Sequence, residues 1–370
     1  MSVPSPNTEQ VIVVTGDVTM DWNIASTRHV AEGTASWAGE LDRTHADWQR
    51  GGAALLADLI EAIAHRLREQ GGPHYQARQT GAPKEPVVPG DPRFHHTYSL
   101  WTRFPHSART TSLQRSVWRM AAWLGLHPST DDDKQAVWAK VVDDAPNAAL
   151  VVLDDADLGF RHQPAWWPQA LHSDHRPWVV LKMSRSVAQG PLWEHLHGSH
   201  ADRLVVVTTI DDLRQMEVQI SRELSWERTA QDLAWEMLYN PRINALCHSA
   251  HVVVTFGAGG AMLFSRQSSI EGGMGRAFFH SRLVFDPQVI EGMWEEANPG
   301  SMIGYTSCLA AALSYHIMAD PDHPDIVQAV QSGLAASRRL HKEGYGRPDS
   351  RSETVDEVVF PTGLVVDELI

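Results

Sequence analysis

The chain has 370 residues, a formal net charge of −14, 43% hydrophobic residues and two cysteines. That composition fits a packed globular protein with ample core. It excludes a disulfide scaffold and a cysteine-rich zinc module, and so acidic a chain is a poor binder of nucleic acid. The N-terminus, Met1 to Gln10, is polar and is not signal-like, and no apolar run reaches the roughly 20 residues of a membrane helix. The expectation is a soluble cytoplasmic protein, with no nucleic-acid and no membrane partner.

Ile12 to Thr15 is a short β-branched run ending at Gly16-Asp17, read as a buried strand. Gly51-Gly52 opens a helix from Ala53 to Ile60 with one face against a sheet. Residues 71–115 are rich in Gly, Pro, His, Arg and aromatics, and Pro83, Pro86, Pro89 and Pro92 break any helix there. This stretch reads as a lid or surface excursion, with a short strand near Thr97–Trp101.

From Ala149 the rhythm becomes regular. Apolar runs end at Asp154-Asp155, at Lys182, at Thr208-Thr209 and at Thr255-Phe256-Gly257, with helical stretches between them, notably over 210–240. Continuous apolar strands alternating with helices predict a parallel sheet covered on both faces. Ligands of such sheets bind beyond the carboxyl ends of the strands, where Asp17, Asp154, Lys182, Thr209 and Gly257 fall.

Several signatures are missing. There is no P-loop, no H-E-x-x-H and no G-x-S-x-G, and Gly257-Ala258-Gly259-Gly260 lacks the third glycine of a dinucleotide fingerprint. His195, His197 and His200 are close in sequence, yet chance clustering among 20 histidines outweighs a zinc site. Cys247 beside His248 reads as a buried structural cysteine. Asp154, Asp155 and Asp157 form an acidic cluster, in which one member could serve as a general base. Trp166, Trp167 and Trp178 read as core around the sheet, with an aromatic platform for a base or sugar ring as the sharper alternative.

Taken in order, these pieces resemble the ribokinase, or PfkB, family of sugar and nucleoside kinases over roughly residues 11–320. Val14-Thr15-Gly16-Asp17-Val18-Thr19-Met20-Asp21 resembles the family's first strand with its substrate-binding Asp. Gly51-Gly52-Ala53-Ala54 resembles the Gly-Gly that begins the first long helix beside the sugar. Thr209-Ile210-Asp211-Asp212 stands where the family carries Asn-x-x-Glu, tied to magnesium and phosphate. Thr255-Phe256-Gly257-Ala258-Gly259-Gly260 resembles the strand and turn beside the nucleotide.

The resemblance implies a ribokinase-like α/β fold: a mostly parallel central sheet, helices on both faces and a small lid. It implies Asp21, Gly51 and Gly52 as substrate-binding residues. Thr255, Gly257, Gly260, Gly300 and Ser301 would bind nucleotide or phosphate, and Asp212 would hold a metal. ATP or another nucleotide, and magnesium, are the implied cofactors. Residues 321–370 form a C-terminal helix and extension. A homodimer or a fused effector domain is the expected setting; some bacterial chains that look similar to this one join such a domain to a ryanodine-receptor-type repeat.

The family's G-A-G-D motif aligns with Gly300-Ser301-Met302-Ile303. Ile303 therefore stands where the family has the Asp that deprotonates the attacking hydroxyl, and loss of a positioned base lowers a rate by about 10²- to 10⁴-fold. Met302 replaces the second glycine, where close approach to phosphate favours Gly. The expectation is a pseudoenzyme that binds a nucleotide, nucleoside or sugar-like small molecule as a sensor or regulatory and scaffold module. The alternatives are an active ATP-dependent sugar or nucleoside kinase with a relocated base, such as Asp154 or Asp17, and a structural oligomerising protein without ligand.

Overall fold

The computed structural model of the chain describes residues 10–29, 41–72, 74–79, 94–105, 111–122, 146–157, 160–162, 164, 167–184, 189–220, 226–256, 260–267, 278–285, 304–343, 356–357 and 362–370. Their strands are β1 (Gln10–Gly16), β2 (Val18–His29), β3 (Leu41–Gly52), β4 (Tyr75–Gln79), β5 (Phe94–Pro105), β6 (Thr111–Ala122), β7 (Leu150–Asp155), β8 (Trp178–Met183), β9 (Leu204–Thr209), β10 (His251–Thr255), β11 (Gly260–Gln267), β12 (Phe278–Phe285) and β13 (Asp356–Glu357). The α-helices are α1 (Ala53–Glu69), α2 (Pro191–Ser199), α3 (Ile210–Gln215), α4 (Trp226–Tyr239), α5 (Tyr305–Ala319), α6 (Ile326–Glu343) and α7 (Thr362–Leu369).

Eight strands form the main sheet in the order β12-β11-β10-β9-β8-β7-β1-β4. From β10 to β4 every neighbouring pair is parallel, and the β10–β11–β12 meander adds an antiparallel end. The parallel strands are apolar on both faces because both are covered. Val14, Val152, Val180 and Val207 join one core with α1, α5, α6 and α7. Val13, Val151, Leu181 and Val206 join the other with α2, α3 and α4. The expected α/β class, with a mostly parallel central sheet and helices on both faces, is what the chain forms, and it is the architecture that the ribokinase-like resemblance implies.

A second, five-stranded sheet has the order β13-β3-β2-β6-β5. Its strands come from 18–52 as well as from 94–122, so it draws on more of the chain than the 71–115 excursion; β4, within that stretch, joins the main sheet. Residues 80–93 and 106–110 lie outside the described residues. Beyond residue 320, α6 and α7 pack into the main core through Ala329, Val330, Leu334, Val365 and Leu369.

The direction of α5 matters for function. At its C-terminal end, the carbonyls of Met318 and Pro321 accept hydrogen bonds from Tyr75 Oη (3.2 Å) and Trp178 Nε1 (2.8 Å). Tyr75 and Trp178 open β4 and β8. α5 therefore runs antiparallel to the parallel strands, and its N-terminus opens at their carboxyl ends. The residue before it, Gly304, has φ 85°, a conformation that glycine adopts without a Cβ penalty. α5 lies so close to α6 that a Cβ on Gly333 would come within 2.8 Å of Leu309 Cα.

Candidate functional site

The side chains of the parallel strands alternate between faces, so the polar residues at the strand ends also sort by face. On the α1/α5 face, Val14, Val152 and Val180 are followed two residues later by Gly16, Asp154 and Lys182. These three stand level across β1, β7 and β8. Beside them Thr209 and Thr255 stand level across β9 and β10. α1 begins at the same edge, because Ala53 N–H donates to the carbonyl of Asp17 at 2.9 Å. The carboxyl edge of the sheet thus carries a polar row flanked by the N-termini of two packed helices, α1 and α5. Backbone N–H groups and the helix dipole make such an edge favourable to electron-rich ligand atoms.

Lys182 Nζ donates to Asp154 Oδ2 at 2.5 Å, and both side chains are almost fully buried. Asp154 Oδ1 is buried with no hydrogen-bond partner among the described residues, an acceptor in want of a donor. Close by, Gly16 has φ 127°, and a Cβ there would fall 2.1 Å from the Asp154 carbonyl oxygen. The glycine ending the first strand is thus required by the approach of β7.

Asp17 is a junction. Its N–H donates to Asp154 O at 2.8 Å. Its carboxylate accepts from Ala156 N–H (2.8 Å) and Phe160 N–H (3.1 Å). Asp155 projects to the opposite face and pairs with Arg161 at 2.5 Å, both buried. Burial raises the Asp155 pKa against the pull of the guanidinium. Asp157 lies 3.8 Å from Arg161 and 3.5 Å from His162. The acidic cluster expected from sequence therefore divides: Asp155 and Asp157 gather around Arg161, while Asp154 pairs with Lys182 on the other face.

The predicted site residues divide. Gly51 and Gly52 are buried at the start of α1, at the carboxyl edge, with Gly52 at φ 60°. Asp21 lies on β2, paired with Gln49 and Arg119 in the second sheet. Thr255 Oγ1 donates to Gly260 O at 3.3 Å, and Phe256 N–H donates to the same carbonyl at 3.0 Å, which closes the β10–β11 hairpin. Gly260 is crowded by β12, since a Cβ would meet Val284 O at 3.1 Å. Gly257, Gly300, Ser301, Met302 and Ile303 lie outside the described residues.

Asp212 takes part in an N-terminal cap. Thr209 Oγ1 accepts from Asp212 N–H at 2.9 Å and donates to Asp212 Oδ2 at 2.6 Å. This is the N-cap half of a capping box, with the hydroxyl turned back onto the Asp212 carboxylate. Among the described residues no group of three His, Cys, Asp or Glu could hold a metal ion.

The three histidines of 195–200 do not converge. His195 and His200 both turn Nε2 toward Leu171 O, at 2.9 and 3.2 Å. His197 packs against Trp193 and His248 instead. Cys247 is buried, its thiol donating to Met237 O at 3.1 Å. Trp167 and Trp178 are buried with their indole N–H groups bonded to the carbonyls of Phe160 and Pro321; Trp166 lies outside the described residues. The sequence reading missed the Asp154–Lys182 pair. Its signal was present: an acid and a base end neighbouring apolar runs, L-V-V-L-D and W-V-V-L-K, at equivalent positions.

No family model and no curated protein matches the chain. Among solved structures it is similar to phosphofructokinase-2 from Escherichia coli in complex with substrates and products. That likeness has 13% identity and a TM-score of 0.40, over 90% of this chain and 93% of that one. It is also similar to pyridoxal kinase from Leishmania donovani in complex with ADP and pyridoxamine, at 12% identity and a TM-score of 0.39, over 97% and 95%. A third likeness is to 2-dehydro-3-deoxygluconokinase from Thermotoga maritima, at 11% identity and a TM-score of 0.33, over 98% and 96%.

Proposed function

We propose that this chain is a ribokinase-like domain that binds a nucleotide, nucleoside or sugar-like molecule at the carboxyl edge of its main sheet. In this reading it transfers phosphate poorly and works as a sensor or as a regulatory and scaffold module. One observation carries the reading. Each acid that the described residues place at this edge already has an internal partner: Asp17 two backbone N–H groups, Asp154 a buried lysine, Asp155 a buried arginine, Asp212 the cap threonine. A general base must reach the proton it takes and be free to hold it, and these acids are committed elsewhere. Ile303 at the family's Asp position argues in the same direction from the sequence.

The binding half of the reading is supported by the convergence of Gly51-Gly52, the α5 N-terminus and the buried Oδ1 of Asp154, unpartnered among the described residues, at one edge. A ligand hydroxyl would supply the donor that Oδ1 lacks. A relocated-base kinase and a ligand-free structural protein are the rivals. One experiment separates all three: thermal shift and phosphate transfer measured together, with ATP, magnesium, and a panel of sugars and nucleosides. Stabilisation without turnover is expected, because a ligand that binds only the folded state raises its apparent stability. Sustained turnover, abolished by Asp17→Asn or by Asp154→Asn in variants that circular dichroism shows to be folded, would establish the kinase instead. The absence of any shift across the panel would leave the structural reading.

A further inference from the structure

Helix α4 is apolar on two sides. Ala230, Leu233 and Met237 are buried and join Val206, Val252 and Val254 in the core against the main sheet. The opposite side points outward, where a helix is ordinarily polar. Here it carries Trp235, Leu238 and Tyr239, which are 63%, 52% and 62% exposed. Among the described residues, Phe285 is the other large apolar side chain left exposed. The rings of Trp235 and Tyr239 lie against each other, their centroids 4.4 Å apart. Positions i, i+3 and i+4 of a helix are neighbours, so the three side chains make one patch. Such patches mark interaction sites, and Trp, Tyr and Arg are the side chains on which association energy concentrates.

The order of charges around the patch says what covers it. Asp232 precedes Trp235 by three residues, Tyr239 follows Trp235 by four, and Arg242 follows Tyr239 by three. Read backwards, the same spacing runs base, aromatic, aromatic, acid. A second copy laid antiparallel, with a two-fold axis level with Met237, therefore sets Trp235 against the partner's Tyr239. It also brings Asp232 level with the partner's Arg242. Each pair then occurs twice, as an isologous contact requires. A parallel arrangement would set acid beside acid and base beside base, which is unfavourable. Both charges are already held in place. Asp232 pairs with Arg228 at 3.3 Å, and half-exposed Arg242 donates to Met216 O at 3.1 Å and pairs with Glu217 at 2.5 Å. Side chains fixed before docking lose less entropy on association.

We propose that the outward face of α4 is a two-fold interface between copies of this chain, built on Trp235 and Tyr239 and set in register by Asp232 and Arg242. α4 leads through residues 244–248 into the start of β10, so Tyr239 lies toward the amino edge of the main sheet, opposite the candidate site. Pairing there leaves both carboxyl edges free, whatever they bind. One helix face is a small contact, so the dimer is of the weak, reversible kind.

The test is sedimentation of the full chain across a concentration series. The mass is expected to rise from that of the 41.1 kDa chain toward twice that value. Trp235→Ala, a change at an exposed position, is expected to weaken association about tenfold or more. Asp232→Arg and Arg242→Asp, checked by circular dichroism, are each expected to weaken it, because each sets like charges level across the axis. Combining the two restores opposite charges and should recover most of the loss. A foreign partner would not respond to the double reversal in this way.

A chain that stays monomeric up to about 1 mM would overturn the interface. So would a dimer of unchanged affinity in Trp235→Ala, which would place the contact elsewhere on the molecule. Losses that add in the double reversal, with no recovery, would overturn the antiparallel register. Flotation with phosphatidylcholine vesicles, abolished by Trp235→Ala and unaccompanied by self-association, would mark the face as a lipid contact and overturn the proposal as well. The series on the unmodified chain decides between monomer and dimer even if a variant fails to fold.

Discussion

Lys182 and Asp154 stand level on neighbouring parallel strands, 2.5 Å apart, at the one edge of the sheet where ligands of this architecture bind. Removing one partner of a buried pair leaves the other charge without compensation, at a cost of about 3–5 kcal/mol. Lys182→Met is therefore expected to destabilise the protein by that much in urea melts. Adding Asp154→Asn should recover part of the loss, because the stranded charge is then gone. A double-mutant cycle with no coupling would contradict the pairing.

Glycine substitutions should divide by what a Cβ meets. Gly16→Ala forces a methyl into the Asp154 backbone at φ 127° and is expected to cost about 3 kcal/mol or more. Gly333→Ala pushes α6 off Leu309 and should cost about 1–3 kcal/mol. Gly198, in α2, has nothing within 4 Å of where a methyl would stand, so Gly198→Ala should stabilise by up to about 1 kcal/mol. Chemical denaturation of the three variants checks the order.

The pH dependence follows from two half-buried histidines. Burial lowers the pKa of His197 and of His251 from 6.5 to about 4. The folded state thus holds both rings neutral while the unfolded chain protonates them. Keeping the rings neutral costs nothing above pH 6.5 and costs stability progressively as pH falls toward 4, on the order of 3 kcal/mol for His251 and less for the more solvated His197. Asp155 acts with the opposite sign, since its raised pKa lets the folded state take up a proton first. Melts at stepped pH should show a falling Tm through this window, flattened in His251→Gln.

Both cysteines should be inert in the folded protein. Burial pushes the thiols of Cys247 and Cys308 up to about 12, and the thiolate is the reactive form. An aromatic disulfide reagent should label neither at neutral pH and both once denaturant unfolds the chain. Rapid labelling of the native protein would contradict the burial.

Thr209→Ala tests the capping of α3. Loss of the threonine cap should cost about 1 kcal/mol, and the loss should be the same with and without magnesium. A magnesium-dependent difference in the melts would mark Asp212 as a metal ligand.

The main sheet was legible because its strands are unbroken apolar runs ending in polar residues, such as L-V-V-L-D and L-V-V-V-T-T. The second sheet was not. Its strands mix charge with aromatics, and β2 pairs with β6 across more than eighty intervening residues, a relationship that no local period encodes. At the site, the residue types at the strand ends could be read, but which acid meets which base could not. Thr209 and Asp212 show the limit from the other side: the same T-x-x-D spacing serves a helix cap and a metal motif, and only the hydrogen bonds distinguish them.

The β2–β3 arm leaves the body after Asp17 and comes back at Ala53, and a hydrogen bond of 2.9 Å joins the two points. Departure and return share one mooring. Asp17 is thus tied through its own backbone both to the first residue of α1 and to β7 beside the buried lysine pair, so a change at this one residue would touch both sheets at once.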